Sequence, residues 1–173
     1  MEIIIKSHKY GEKKVLIDDE DLEKIKEHIW HLQYAKTIKG FYVNRHSKSI
    51  KGKRSCISLH RYIVDAQRGE VVDHINHNTL DNRKENLRKC THSQNSGNRN
   101  KMTQKCSSHY KGVTYNLKTN KYIATIQPNN TSVHLGYFET EDQAAIAYNI
   151  AAVKYFGEFA RPNDNIMMHK GFH

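Results

Sequence analysis

Residues 73–88 read DHINHNTLDNRKENLR. An acid and a histidine stand side by side at Asp73 and His74, and Asn76, Asn78, Asn82 and Asn86 crowd the positions that follow. An imidazole changes charge near neutral pH, so a held histidine can take a proton from a reacting water. A carboxylate and a carboxamide are hard oxygen donors of the kind a small divalent cation takes. The stretch therefore has the residue types of a metal site with a histidine base. Asn is also a common turn former, and a polar surface loop would use the same residues. The elements around the pair have to decide.

EVVDHI reads as a short strand ending at the pair, and LDNRKENLRKCTHSQNSGN as a turn followed by a helix beginning near Asn82 or Arg83. Upstream, Asp18 and Asp19 can cap a helix whose Leu22, Ile25 and Ile29 recur at helical spacing. LQYAKT, GFYVNR and CISLHRYIV are β-branched or aromatic and broken by Gly40, Gly52 and basic loops, so they predict strands, the last passing into a helix. Downstream, residues 96–110 are polar and basic and read as a linker able to lie along phosphates. YKGVTYNL, KYIATIQP and SVHLGYF then give three strands, and a helix opens at Thr140 with Gln143 in the capping-box position and Gly157 as its stop. Alternation predicts Tyr122, Ala124, Ile126, Val133 and Leu135 facing that helix. The polar residues between them form the opposite face.

The expected organisation of this α+β chain is a β-rich region with one helix over 1–54, a finger around the Asp-His pair over 55–98, a basic linker over 99–108, a small sheet-and-helix module over 109–163 and a tail over 164–173. Charge points to the partner. The net charge is +10 and the pI near 9.5. Six acids cluster between Asp18 and Glu27, whereas residues 28–64 and 86–138 each hold eight Lys or Arg and no acid. Long acid-free segments suit a surface that neutralises the phosphates of a polyanion. Mean hydropathy of −0.82 and the charged opening MEIIIKSHKYGEKK predict neither a membrane span nor a secretory leader, hence a cytoplasmic protein. Cys56, Cys90 and Cys106 are odd in number and widely spaced, which disfavours a disulfide framework.

The segment SLHRYIV…VVDHINHNTLDNRKENLRKCTHSQN resembles the HNH endonucleases, the ββα-metal or His-Me finger nucleases found as homing enzymes of phages and mobile introns. HYKGVTYNLKTNKYIATI…HLGYFETEDQAAIAYNIAAVKYFGEFA resembles an AP2 domain, a three-stranded antiparallel sheet packed on one helix. The first resemblance implies Asp73 and Asn95 as metal ligands, His74 as general base and Asn86 as the residue that braces the loop and orients His74. It also implies one Mg²⁺ or Mn²⁺ per finger and hydrolysis of double-stranded DNA in a bacterial or phage-infected cell, by a monomer that nicks or a homodimer that cuts both strands. Arg61, Arg83 and Arg88 could pin phosphates, and so could Arg99, Lys101 and Lys105 of the linker. At the outward positions of the AP2-like sheet stand Lys111, Thr114, Asn116, Lys121, Thr125, Gln127, Ser132 and His134, in place of the arginines and tryptophans of plant members.

Three other readings stay open, one of them a restriction-type or nonspecific nuclease. Cys90, His92, Cys106 and His109 have the ligand types for structural Zn²⁺, but at spacing unusual for it. A DNA-binding regulator with an inert finger would need a broken constellation, whereas Asp73, His74 and Asn95 are all present.

Overall fold

The computed structural model describes residues 1–47, 55–99, 107–164 and 166. The chain forms two compact units, Met1–Cys90 and Thr91–His173. The boundary falls between the last strand of the expected finger and its helix, eight residues short of the end predicted at 98.

In the first unit, β1 (Glu2–Ser7) and β2 (Gly11–Leu16) form an antiparallel hairpin that turns on Gly11 at φ +68. The period-two pattern of EIIIKS sends Ile3 and Ile5 inward and leaves Ile4 exposed. Next come a 3-10 turn (Asp19–Asp21) and a short α1 (Leu22–Lys26). Here the sequence expectation fails in detail. Asp18 does not cap the helix; its carboxylate accepts the Lys84 amide from across the unit. The helix stops before Ile29, which is 79% exposed, and Trp30 takes the inward place, its indole donating to the Ile25 carbonyl.

Strands β3 (His31–Ala35), β4 (Gly40–His46) and β5 (Cys56–Ser58) make an antiparallel sheet in that order, and β5 runs into α2 (Leu59–Ile63). The last pair, β6 (Val71–His74) and β7 (Leu87–Cys90), is the hairpin that carries Asp73 and His74. The helix expected from Asn82 or Arg83 is instead a 3-10 turn (Lys84–Asn86) leading into β7. Leu87 enters the core and Arg88 sits opposite Asp73 in the ladder. That cross-strand opposite-charge pair favours a strand over the helix the local sequence would also allow. One core binds these elements: Val15, Ile17, Ile25, Trp30, Leu32, Val43, Leu59, Ile63, Val72 and Leu87. The site hairpin is anchored in it through Val72 and Leu87. At roughly 1.5–3 kcal/mol per large buried side chain, those two contacts weigh more than its surface hydrogen bonds.

The second unit opens with α3 (His92–Asn98), capped by a reciprocal Thr91/Gln94 box. Strands β8 (Val113–Asn116), β9 (Lys121–Ile126) and β10 (Val133–Phe138) follow in the order β10-β9-β8, then α4 (Glu141–Phe156). The Thr140/Gln143 capping box and the stop at Gly157, φ +54, stand where the sequence placed them. Ala144 and Ala145 let α4 lie close against Val113 and Ala124. A bulge between His134 and Gly136 breaks the alternation of β10. It turns Phe138 inward and Tyr137 outward, so Tyr137 joins His134 on the open face, ring centroids 4.8 Å apart. Among the described residues no helix is long and apolar enough to cross a membrane.

Candidate active site

Asp73 and His74 end β6, both nearly shut off from solvent at 9% and 4% exposure. The loop beyond them is closed by Asn86. Its Oδ1 accepts the Asn76 amide at 2.9 Å, its Nδ2 donates to the Asp81 carbonyl at 2.8 Å, and its own carbonyl accepts the Ile75 amide. Asp81, 2% exposed, is the second fastener. Its carboxylate accepts Asn76 Nδ2 and takes the Arg83 guanidinium on both oxygens at 2.8 Å. Arg83 holds the Asp81 carboxyl below the usual carboxylate range, so the fastener stays charged. Asn76 and Asn78 bend the chain, each side-chain oxygen accepting an amide two residues on. His77 sits at φ +62, where glycine would be at ease.

The N-terminal hairpin grips the same loop. Leu16 of β2 donates its amide to the Leu80 carbonyl and accepts from the Asn82 amide, both at 2.8 Å. Residues 1–17 therefore help to hold the loop that positions the pair, a function their sequence does not display.

Arg88 lies against Asp73, Nη2 3.1 Å and Nε 3.3 Å from Oδ2. His74 Nε2 faces Asn82 Oδ1 at 3.5 Å, and its ring meets His60 edge-on at 4.9 Å, with Tyr42 against both. Asn82 is 1% exposed. Its carbonyl oxygen can only accept, which favours a proton on Nε2 and leaves Nδ1 as the basic nitrogen. Burial lowers the His74 pKa, and the Asn82 bond and the charges of Asp73 and Asp81 oppose it. His74 is thus neutral at neutral pH.

His60 is pushed down from 6.5 to about 3 by loss of water, His74 and Arg61. A depressed pKa means that the unfolded chain takes up a proton, below 6.5, that the folded unit refuses. Stability is complete above that value and is lost as pH falls toward 3. Between pH 7.5 and 5 the cost is of order 1–2 kcal/mol. Urea unfolding followed by the lone Trp30 should show it, and His60→Gln should remove that part of the slope. An equal slope in both proteins would clear His60 of the effect.

The three arginines expected on phosphates are engaged inside the fold. Arg61 donates to the carbonyls of Ala66, Gln67 and Glu70, Arg83 is spent on Asp81 and Glu85, and Arg88 on Asp73. Arg99 is exposed just past α3. Lys101, Lys105 and Cys106 lie outside the described residues, and with Cys106 goes any account of the four-residue zinc set. Asn95 is on α3, in the second unit.

Lys111 departs from the expected outward place. Its ammonium donates to the Gly97 carbonyl at 2.6 Å beside the Tyr148 ring, and burial lowers its pKa to about 8. Asn116 accepts the Lys118 amide, and Lys121 pairs with Glu139. Thr114, Gln127, Ser132 and His134 are exposed, and Thr125 is half-buried. Sequence reasoning passed over Asp81 and Tyr137 and read Asn82 as a turn former. Asp81 and Asn82 could have been suspected from the charge and amide packed into DNR, but Tyr137 depends on a bulge that only Gly136 hinted at.

Residues 59–96 match the family model described as HNH endonuclease. That segment is similar to the HNH endonucleases. The matched segment runs from α2 into α3 and holds Asp73, His74, Asn86 and Asn95. The chain is also 40% identical over 113 residues to a protein described as an uncharacterized HNH endonuclease of Acanthamoeba polyphaga mimivirus, an alignment covering 62% of this chain. The chain spans 57% of that relative's length.

Proposed function

We propose that the protein is a site-specific, metal-dependent DNA endonuclease of the homing type. The observation that carries this reading is the buried Asp73–His74 pair at the mouth of a loop fastened by Asn86 and Asp81, inside the HNH segment. His74 Nδ1 takes a proton from water as the water oxygen bonds to phosphorus. The bond from phosphorus to the 3′ oxygen breaks, and solvent returns a proton to that oxygen, leaving 3′-hydroxyl and 5′-phosphate ends.

A divalent ion, Mg²⁺ or Mn²⁺, bound through Asp73 would supply positive charge for the phosphate and the departing oxygen. The donor chemistry suits such an ion. Asp73 offers hard oxygen, while burial, with the Asp73 charge, pushes the Cys90 thiol up, so this strand pair offers no thiolate at neutral pH. Asn86 and Asp81 hold the loop so that His74 is aimed before substrate arrives.

The second unit is proposed to read the target as an AP2-like module. Support comes from its three-stranded sheet with one covering helix, and from an open face carrying Thr114, Asn116, Lys121, Thr125, Gln127, Ser132, His134 and Tyr137. Strands with such side chains can enter the major groove and bond to base edges.

A supercoiled plasmid carrying the target region tests the reading. Nicked or linear product in Mg²⁺, and none in EDTA, is the expected result. Tight binding to DNA shown to contain the site, without cleavage in any divalent metal, would favour a regulator with an inert finger.

A further inference from the structure

The first unit carries a surface that the nuclease mechanism does not use. Tyr10, Tyr34 and Phe41 pack ring against ring, with centroids 5.2 Å apart for Tyr10–Phe41, 5.3 Å for Tyr34–Phe41 and 6.3 Å for Tyr10–Tyr34. Tyr34 remains 41% exposed. Lys13 Nζ lies 5.2 Å from the Phe41 centroid and Lys9 Nζ 5.3 Å from that of Tyr10. Lys36 and Lys39, both exposed, sit on the turn that joins Tyr34's strand to Phe41's.

Two features separate this surface from an ordinary solvated one. The first is its charge. The outer face of the β1–β2 hairpin is neutralised pair by pair, Lys6 with Glu12 and Lys14 with Glu2. Among the described residues no ion pair joins an acid to Lys9, Lys13, Lys36 or Lys39, and the chain has no acid between His28 and Val64. The second is its place. The Phe41 carbonyl accepts the Thr79 hydroxyl at 2.6 Å, so the cluster is tied to the active-site loop. The next residue, Tyr42, packs on His60 and His74. One strand thus carries Phe41 of the aromatic–lysine cluster on one face and, through the next residue, the contact with His74 on the other.

We propose that the Tyr10–Tyr34–Phe41 cluster with Lys9, Lys13, Lys36 and Lys39 is a docking surface for the sugar–phosphate backbone of duplex DNA. In the choice of duplex DNA the proposal rests on the nuclease reading. Lysines neutralise phosphates as mobile point charges, and the aromatic platform holds their stems and gives a flat apolar seat for the sugars. Such a surface would add affinity without sequence preference, complementing a separate reader of bases.

The test measures binding of the full-length chain to duplex DNA as a function of salt. Fluorescence anisotropy is followed for the parent, for a quadruple Lys→Gln variant at positions 9, 13, 36 and 39, and for a control changing Lys6 and Lys14 to Gln. Each engaged lysine contributes about 0.9 to the slope of log affinity against log salt. The quadruple variant should lose about 2–4 of that slope, Tyr34→Ala should weaken binding with the slope kept, and the control should match the parent. An unchanged slope in the quadruple variant, an equal fall per lysine in the control, or no affinity for duplex DNA would each overturn the proposal. Binding is read without cleavage, so a parent that binds in this pattern but never cuts DNA would sink the nuclease reading and leave the docking surface standing.

Discussion

The His74→Ala protein is expected to bind DNA as the parent does and to cleave it roughly 10²–10⁴-fold more slowly. The size of the loss follows from what surrounds the imidazole. Asn82 favours the tautomer that leaves Nδ1 basic, and burial keeps the ring neutral at working pH. His60 stands 4.9 Å away but cannot take over, because a group pushed down to about 3 binds a proton too weakly to accept one from water. Arg88 on Asp73 and Arg83 on Asp81 are cations, and they offer no base either. Single-turnover cleavage at saturating protein isolates the chemical step, and anisotropy on uncut DNA checks that binding survives. His74 is 4% exposed, so the alanine leaves a gap, and His74→Gln, which fills more of it, controls for collapse of the loop. A fall of less than tenfold in both variants would remove His74 from the role of base.

How much of this was legible in the sequence depends on how local the cause is. The three strands and capped helix of the second unit and its stop at Gly157 are written in short stretches, where residue type and spacing act directly, and the Asp73–His74 pair stands out in the same way, whereas the bracing role of Asn86 is implied by the resemblance to HNH endonucleases. The failures share the opposite property. Arg61 and Lys111 look like free cations because the carbonyls that claim them belong to residues the sequence does not set beside them. The helix expected after Asn82 gives way to a strand because Leu87 is needed in the core and Arg88 across from Asp73, tertiary demands that outweigh local propensity. Tyr137 changes face through a single bulged position, since one residue of slip exchanges inside for outside. The grip of Leu16 on the loop joins residues more than sixty positions apart, and no pattern in residues 1–17 announces it.

Replacing Gly112 with alanine should cost the second unit about 3–5 kcal/mol, enough to unfold much of it near body temperature. Two penalties act together. The backbone stands at φ +74, which an L side chain resists by about 1–2 kcal/mol. A Cβ there would also meet Tyr148 Cδ2 at 2.0 Å, Tyr148 Cε2 at 2.3 Å and the Thr125 carbonyl oxygen at 2.7 Å. Tyr148 has nowhere to go, being 3% exposed within α4. The Thr125 carbonyl belongs to the central strand β9, and Gly112 is itself fastened to that strand, its own carbonyl accepting the Thr125 amide at 2.8 Å. Relief therefore means separating the start of β8 from β9 or lifting α4 off the sheet. Gly157→Ala provides the contrast, since φ there is +54 but nothing lies within 4 Å of an added Cβ, so it should cost only the conformational term. Circular dichroism melts of the two variants measure the difference, while Trp30, which lies in the first unit, reports whether that unit still unfolds as before. If both glycines cost the same, the contact with Tyr148 and Thr125 is not what holds Gly112 in place. If Gly112→Ala melts the second unit alone, the same protein becomes the means of asking how far the proposed cleavage depends on the module that would read its target.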